Sequence, residues 1–99
     1  MKIIKSHGFK KDEKRWQKSG NLPKDFRDNF NEVLTFLFNK NPIPQKYQDH
    51  PMKGDYINVR DCHICNDVVL LYSKNETEIR LKRLLKHSEF LNKKNPGKN

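Results

Sequence analysis

The chain predicts an α+β domain in which a two-helix hairpin packs on a small antiparallel sheet. Three observations point there. Phe26, Phe30, Val33, Leu34, Leu37 and Phe38 recur at three- and four-residue spacing, the pattern of an amphipathic helix. From Tyr56 onward the period falls to two, in three stretches separated by short turns. Between these halves, Asn39–Asp55 carries Pro42, Pro44, Pro51 and Gly54 and follows neither period. With 99 residues there is length for one core and none for a separate cofactor domain.

Lys2–Lys5, with Ile3 and Ile4, reads as a first edge strand. Ser6 or His7 starts a weak helix running to Lys18, with Phe9 and Trp16 as its only large apolar side chains on one face. Gly20 is suited to end it, because glycine adopts the left-handed backbone that closes helices. Pro23 suits the first turn of a second helix, and Asp25 and Asp28 favour its positive N-terminal end. That helix should stop near Asn39–Asn41, ahead of Pro42. The proline-rich connection is long for so small a domain, and long ordered loops are often functional.

Tyr56–His63 alternates, with Ile57, Val59, Asp61 and His63 on one side and Arg60 and Cys62 on the other. Cys65-Asn66-Asp67 reads as a turn. Val68–Ser73 is a continuous apolar run, the mark of a central strand. Glu78–Leu85 alternates again, so three strands form an antiparallel meander. Arg83 interrupts that alternation, and a charge in a core is costly, so it is expected at a sheet end. Residues 1–91 form the domain and 92–99 a basic flexible tail.

Lys plus Arg outnumber Asp plus Glu by 21 to 12, a net charge of +9 that favours a polyanionic partner such as nucleic acid. The charge is uneven. Residues 1–46 carry eleven basic and five acidic side chains, whereas 47–73 carry only Lys53 and Arg60 against Asp49, Asp55, Asp61 and Asp67. Apolar runs are too short to span a membrane, and the first residues lack a signal-peptide core. Two cysteines without a disulfide framework point to a reducing cytoplasm.

Three of the four histidines, His50, His63 and His87, fall on the stiff loop, a strand end and the segment after the last strand. Imidazoles suit both proton roles in a metal-free cleavage of RNA, whose 2′-hydroxyl is a built-in nucleophile. Asp61 lies two residues before His63 on the same strand side and can orient its ring. Asp67 sits just across the turn. Arg60, Arg83, Lys53 and Lys86 supply positive charge for a phosphate. Cys62-His63-Ile64-Cys65 offers half of a zinc site, but no second cysteine pair completes it, and a regular strand would point the two thiols to opposite sides. No metal and no small-molecule cofactor is expected. The residues alone leave open a basic nucleic-acid-binding module without enzyme activity.

The run Tyr47–Gly54, then Arg60-Asp61-Cys62-His63-Ile64, Asp67–Tyr72, Arg83 and His87–Leu91 resembles the YafQ branch of the RelE/ParE toxin superfamily. The resemblance spans Pro42–Leu91 and implies the RelE-like microbial RNase fold. It implies the toxin of a type II toxin–antitoxin pair, an mRNA interferase that cuts mRNA in the ribosomal A site and is neutralised by a cognate antitoxin. Carried over by position, His50, His63, Asp67 and His87 are the catalytic set, Arg83 steadies the phosphate and Phe90 contacts RNA, with Asp61 and Tyr72 in support. Three places depart from the pattern: Leu85 replaces a glycine, Phe90-Leu91 reverses the usual order, and Val68 stands where an aromatic often follows the Asp67 position. A non-catalytic, gyrase-directed ParE-like protein is the alternative within the superfamily.

Overall fold

The structure, a computed structural model, describes residues 1–52 and 58–89. Its elements are strand β1 (Lys2–Lys5), helices α1 (His7–Ser19) and α2 (Phe26–Phe38), a short 3-10 turn (Gln45–Tyr47), and strands β2 (His50–Pro51), β3 (Arg60–Cys65), β4 (Val68–Lys74) and β5 (Glu78–Lys86). The sheet order is β1-β5-β4-β3-β2. Lys53, Phe90, Gly54, Tyr56, Ile57 and the 92–99 tail lie outside the described residues.

The α1 start is fixed by Ser6, whose Oγ accepts the Phe9 N–H at 3.2 Å and donates to the Lys82 carbonyl of β5 at 2.9 Å. Gly20 closes the helix at φ 69°, its N–H returning to the Trp16 carbonyl. Helix α2 begins at Phe26, later than Pro23 led one to expect. Pro23 instead accepts the Phe26 N–H in a turn ahead of the helix. Asp25 holds the N-cap position without capping, because its carboxylate accepts from the Cys65 thiol at 3.4 Å.

Both helices cover one face of the sheet. Phe9 and Trp16 of α1 join Phe26, Phe30, Val33 and Leu37 of α2 over Cys62, Ile64, Val68, Leu70, Tyr72, Ile79, Leu81 and Leu84. The helices meet at Phe9 and Phe30, whose rings stack at 6.1 Å. Trp16 donates its indole N–H to the Leu84 carbonyl at 3.0 Å, which satisfies the one polar atom it buries. A smaller cluster, Val69, Leu71 and Leu85 with Met52 and Val59, forms on the opposite face. Each large side chain so buried contributes about 1.5–3 kcal/mol.

Three expectations are corrected. The sheet is mixed rather than wholly antiparallel: β1 runs parallel to β5, Lys2 opposite Glu78 and Lys5 opposite Leu81. Strand direction between chain ends depends on where the helices return the chain, which no local pattern encodes. The first meander strand is Arg60–Cys65, shifted toward the turn. Arg83 is not at a sheet end. The β4–β5 register passes from Tyr72↔Leu81 to Leu71↔Arg83, skipping Lys82. This bulge brings Leu81 and Leu84, three residues apart, into the same core and lets Arg83 sit mid-strand with its charge met by Asp12.

Candidate functional site

The site forms where the β3–β4 turn meets the end of β5. Register carries the side chains across the sheet in rows. His50 lies opposite Asp61 and Asp61 opposite Leu71. In the next row His63 lies opposite Val69, and Val69 opposite Leu85. Directly opposed residues project from the same face of a pleated sheet. The histidines therefore stand on the face away from the helices, beside the Val69–Leu71–Leu85 cluster.

Asp61 is fully buried at the centre of this arrangement. His50 Nε2 lies 3.1 Å from its Oδ1 and His63 Nε2 lies 3.7 Å from the same oxygen. His50 Nδ1 lies 3.3 Å from the Pro51 carbonyl. His63 in turn meets His87 at 5.2 Å between ring centroids. The His87 N–H donates to the Asp67 carbonyl at 3.1 Å, which fastens the end of β5 to the β3–β4 turn. Three imidazoles and one buried carboxylate thus form a continuous chain of contacts. His50, Asp61 and His63 each offer a ligand atom within 4.8 Å of the others, so this is also the group among the described residues that suits a metal ion.

A cleft of about 730 Å³ opens beside His63, Asp67 and His87. Its other walls come from Asp25 and Asn29 near the start of α2 and from Lys46–Gln48. Asn29 braces it by donating to the Ile64 carbonyl at 2.9 Å. The Tyr47 hydroxyl bonds Glu32; burial, then that carboxylate, raise its pKa, so it stays a neutral donor.

The two expected phosphate-binding arginines are both paired within the chain. Asp12 accepts from Arg83 Nε at 2.7 Å and from its NH2 at 3.1 Å, and this raises the arginine's pKa further. Arg60 is bidentate to Asp49, with NH2 at 2.8 Å, and Asp49 also accepts from the Tyr72 hydroxyl. Lys86 is exposed one residue before His87. The bulge between His63 and Cys65 overturns one expectation, because it turns Cys65 onto the same core cluster as Cys62. Burial pushes the Cys62 thiol up to about 12; burial and the Asp25 carboxylate push Cys65 up to about 11.

Sequence reading passed over Asp12, Arg15 and Glu89, which hold Arg83 and the turn carrying His87. A signal existed for one of them. Asp12 falls between Phe9 and Trp16 on the face that α1 buries, where a charge requires a partner.

The YafQ family, described as bacterial toxins of type II toxin–antitoxin systems, matches residues 1–92. A YafQ relative from Haemophilus influenzae is 42% identical over 57 residues, 54% of this chain and 56% of that protein. The mRNA interferase toxin YafQ of Escherichia coli K12 is 33% identical over 57 residues, 57% of this chain and 62% of that protein. These matches span less than two thirds of either curated relative. Among solved structures, a copper-bound mutant toxin from Helicobacter pylori superposes with a TM-score of 0.78 at 36% identity, covering 90% of this chain and 97% of that one. The E. coli DinJ–YafQ complex gives 0.72 at 32% identity, covering 88% and 93%. With a family match across nearly its whole length and a shared RelE-like α+β fold, this chain belongs to the YafQ toxin family.

Proposed function

We propose that this chain is the toxin of a type II toxin–antitoxin pair and acts as a ribosome-dependent mRNA endoribonuclease. The carrying observation is the run of His50, Asp61, His63 and His87 along one sheet face, beside an open cleft in a strongly basic protein. Cleavage of RNA through its own 2′-hydroxyl needs a base, an acid and compensation for the charge on phosphorus. His50 takes the 2′-hydroxyl proton, and His87 gives a proton to the departing 5′-oxygen. Asp61 holds the His50 and His63 rings and balances the charge that His50 gains. His63 and Asp67 complete the proton network, and Arg83, paired with Asp12, is assigned the positive charge that steadies the phosphate. The products are a 2′,3′-cyclic phosphate and a 5′-hydroxyl. Its natural antagonist is a small cognate antitoxin, as in the DinJ–YafQ structures.

The reaction so drawn requires no metal. The H. pylori relatives are described as metal-bound, and the His50–Asp61–His63 donors suit a transition-metal ion. An ion there would occupy the ring nitrogens that proton transfer uses. Chelator should therefore leave cleavage intact, and added zinc or copper should slow it.

Induction in cells with mapping of mRNA 5′ ends tests the reading. Discrete new 5′-hydroxyl ends within coding regions are expected, reduced about 10²–10⁴-fold in His87→Ala, the usual worth of a general acid or base. Unchanged mRNA ends with stalled gyrase, or salt-sensitive RNA binding without cleavage, would overturn it.

A further inference from the structure

His87–Glu89 is a turn of helix that begins where β5 ends, so Lys86 occupies its N-cap position. The first N–H groups of a helix have no partner within it. Here Glu89, three residues on, reaches back and accepts the Lys86 N–H at 3.0 Å. This is the returning half of a capping box. The same carboxylate is gripped from α1: Arg15 NH1 donates to Oε2 at 2.8 Å, and NH2 reaches Oε1 at 3.4 Å. Arg15 NH2 also reaches Asp12 at 3.3 Å, and Asp12 holds Arg83 and the Leu84 N–H. One patch of α1 thereby holds the Leu84 backbone directly and, through Glu89, the Lys86 N–H at the foot of the turn that carries His87.

As stabilisation, the Arg15–Glu89 pair counts for little. Their side chains are 51% and 33% exposed, so water screens the pair and it adds little. As geometry it counts for more. His87 directly follows the N–H that Glu89 holds, and a displacement of about 1 Å in a reacting group can cost about a hundredfold in rate.

We propose that Glu89 and Arg15 are positioning residues for His87: Glu89 caps the turn and Arg15 anchors that cap to α1. The proposal rests on the reading of His87 as a catalytic group. It assigns neither residue a contact with RNA.

The test is cleavage of mRNA on purified, programmed ribosomes, with kcat and KM measured separately and thermal unfolding in parallel. Glu89→Ala should lower kcat about 10- to 100-fold with KM within about twofold and the melting temperature by only a few degrees. Glu89→Gln keeps an oxygen for the Lys86 N–H and should recover most of that loss. Arg15→Ala should fall between the two. Lys40→Ala, which removes an exposed ion pair with Glu76, should match wild type. In proton–carbon spectra the His87 ring signal should move in Glu89→Ala while that of His7 stays. Should Glu89→Ala fail to fold, Arg15→Ala and Glu89→Gln carry the comparison. A Glu89→Ala protein with wild-type kcat, or one altered only in KM, would overturn the assignment. If His87→Ala cuts like wild type, it is the functional reading that has failed.

Discussion

Asp12→Ala should be among the most destabilising substitutions in α1, although sequence reading assigned Asp12 no role. The carboxylate is 4% exposed and accepts the buried Leu84 N–H at 2.8 Å as well as the Arg83 guanidinium. Truncation leaves that N–H buried without a partner, at about 1–3 kcal/mol. Arg83 is 37% exposed, so its charge rehydrates and adds only about 0.5–1 kcal/mol. A sum near 3 kcal/mol lowers the melting temperature of a domain this size by about 12–24 °C. Asp12→Asn keeps an acceptor for Leu84 and should cost only about 1 kcal/mol. Thermal and urea unfolding followed by circular dichroism measure both. A fall of less than about 3 °C in Asp12→Ala would refute the assignment of the Leu84 bond as the main term. Equal losses in Asn and Ala would shift the weight from the acceptor to the charge.

Three further outcomes follow from the same contacts. Tyr72→Phe removes the hydroxyl that donates to Asp49 but leaves the Arg60 bidentate pair, so the urea midpoint should fall by the equivalent of about 1 kcal/mol. An unmoved midpoint would show the bond adds nothing. With thiols at about 12 and about 11, the Cys65 thiolate is only about a thousandth of the total at pH 8, so alkylation should be slow there and reach Cys65 first as pH rises. Rapid labelling at pH 7.5 would contradict the burial of Cys62 and the raised thiol of Cys65. Glu89 is subject to burial, which raises its pKa, but the Lys86 N–H and Arg15 outweigh this and lower it. A lowered carboxylate stabilises the fold fully above its unfolded value, near about 4.3, and loses that contribution as pH falls through the folded one. Glu89→Gln should therefore flatten the acid limb of melting temperature against pH, and an identical limb would count against the linkage.

Much of the fold was legible because most of it is local. The period of α2, the apolar run of β4 and the stop at Gly20 each follow from neighbours in sequence. What was not legible depended on contacts distant in sequence. The parallel placement of β1 beside β5 is set by where the two helices return the chain. The bulge at Lys82 follows from burying both Leu81 and Leu84 while Arg83 finds Asp12, 71 residues earlier. The histidine constellation was visible as residue types on three elements, and the paired rows of β2, β3, β4 and β5 bring them together. The anchoring of Arg83 and Glu89 was not visible, because Asp12 and Arg15 read as ordinary charges on a weak helix.

Leu85 shows how the same rows reconcile a departure from the family pattern with an ordered His87. A glycine two residues before that histidine would give the backbone freedom to choose its course. Leu85 removes that freedom, being 1% exposed and packed with Val69 and Leu71. Yet freedom is not what the position requires here. Leu85 lies opposite Val69 and Val69 opposite His63, so one row across the sheet runs from the first ring to the strand that delivers the second. Two residues on, at the end of the strand period, His87 returns to that face, and its ring meets His63 at 5.2 Å. Burial of Leu85 contributes about 1.5–3 kcal/mol that a glycine could not, and it keeps β5 regular up to Lys86. The bond from His87 N–H to Asp67 and the Glu89 cap then take over where the ladder ends. A fixed leucine platform, continued by two backbone bonds, holds the histidine where a flexible glycine would need its course set by other contacts.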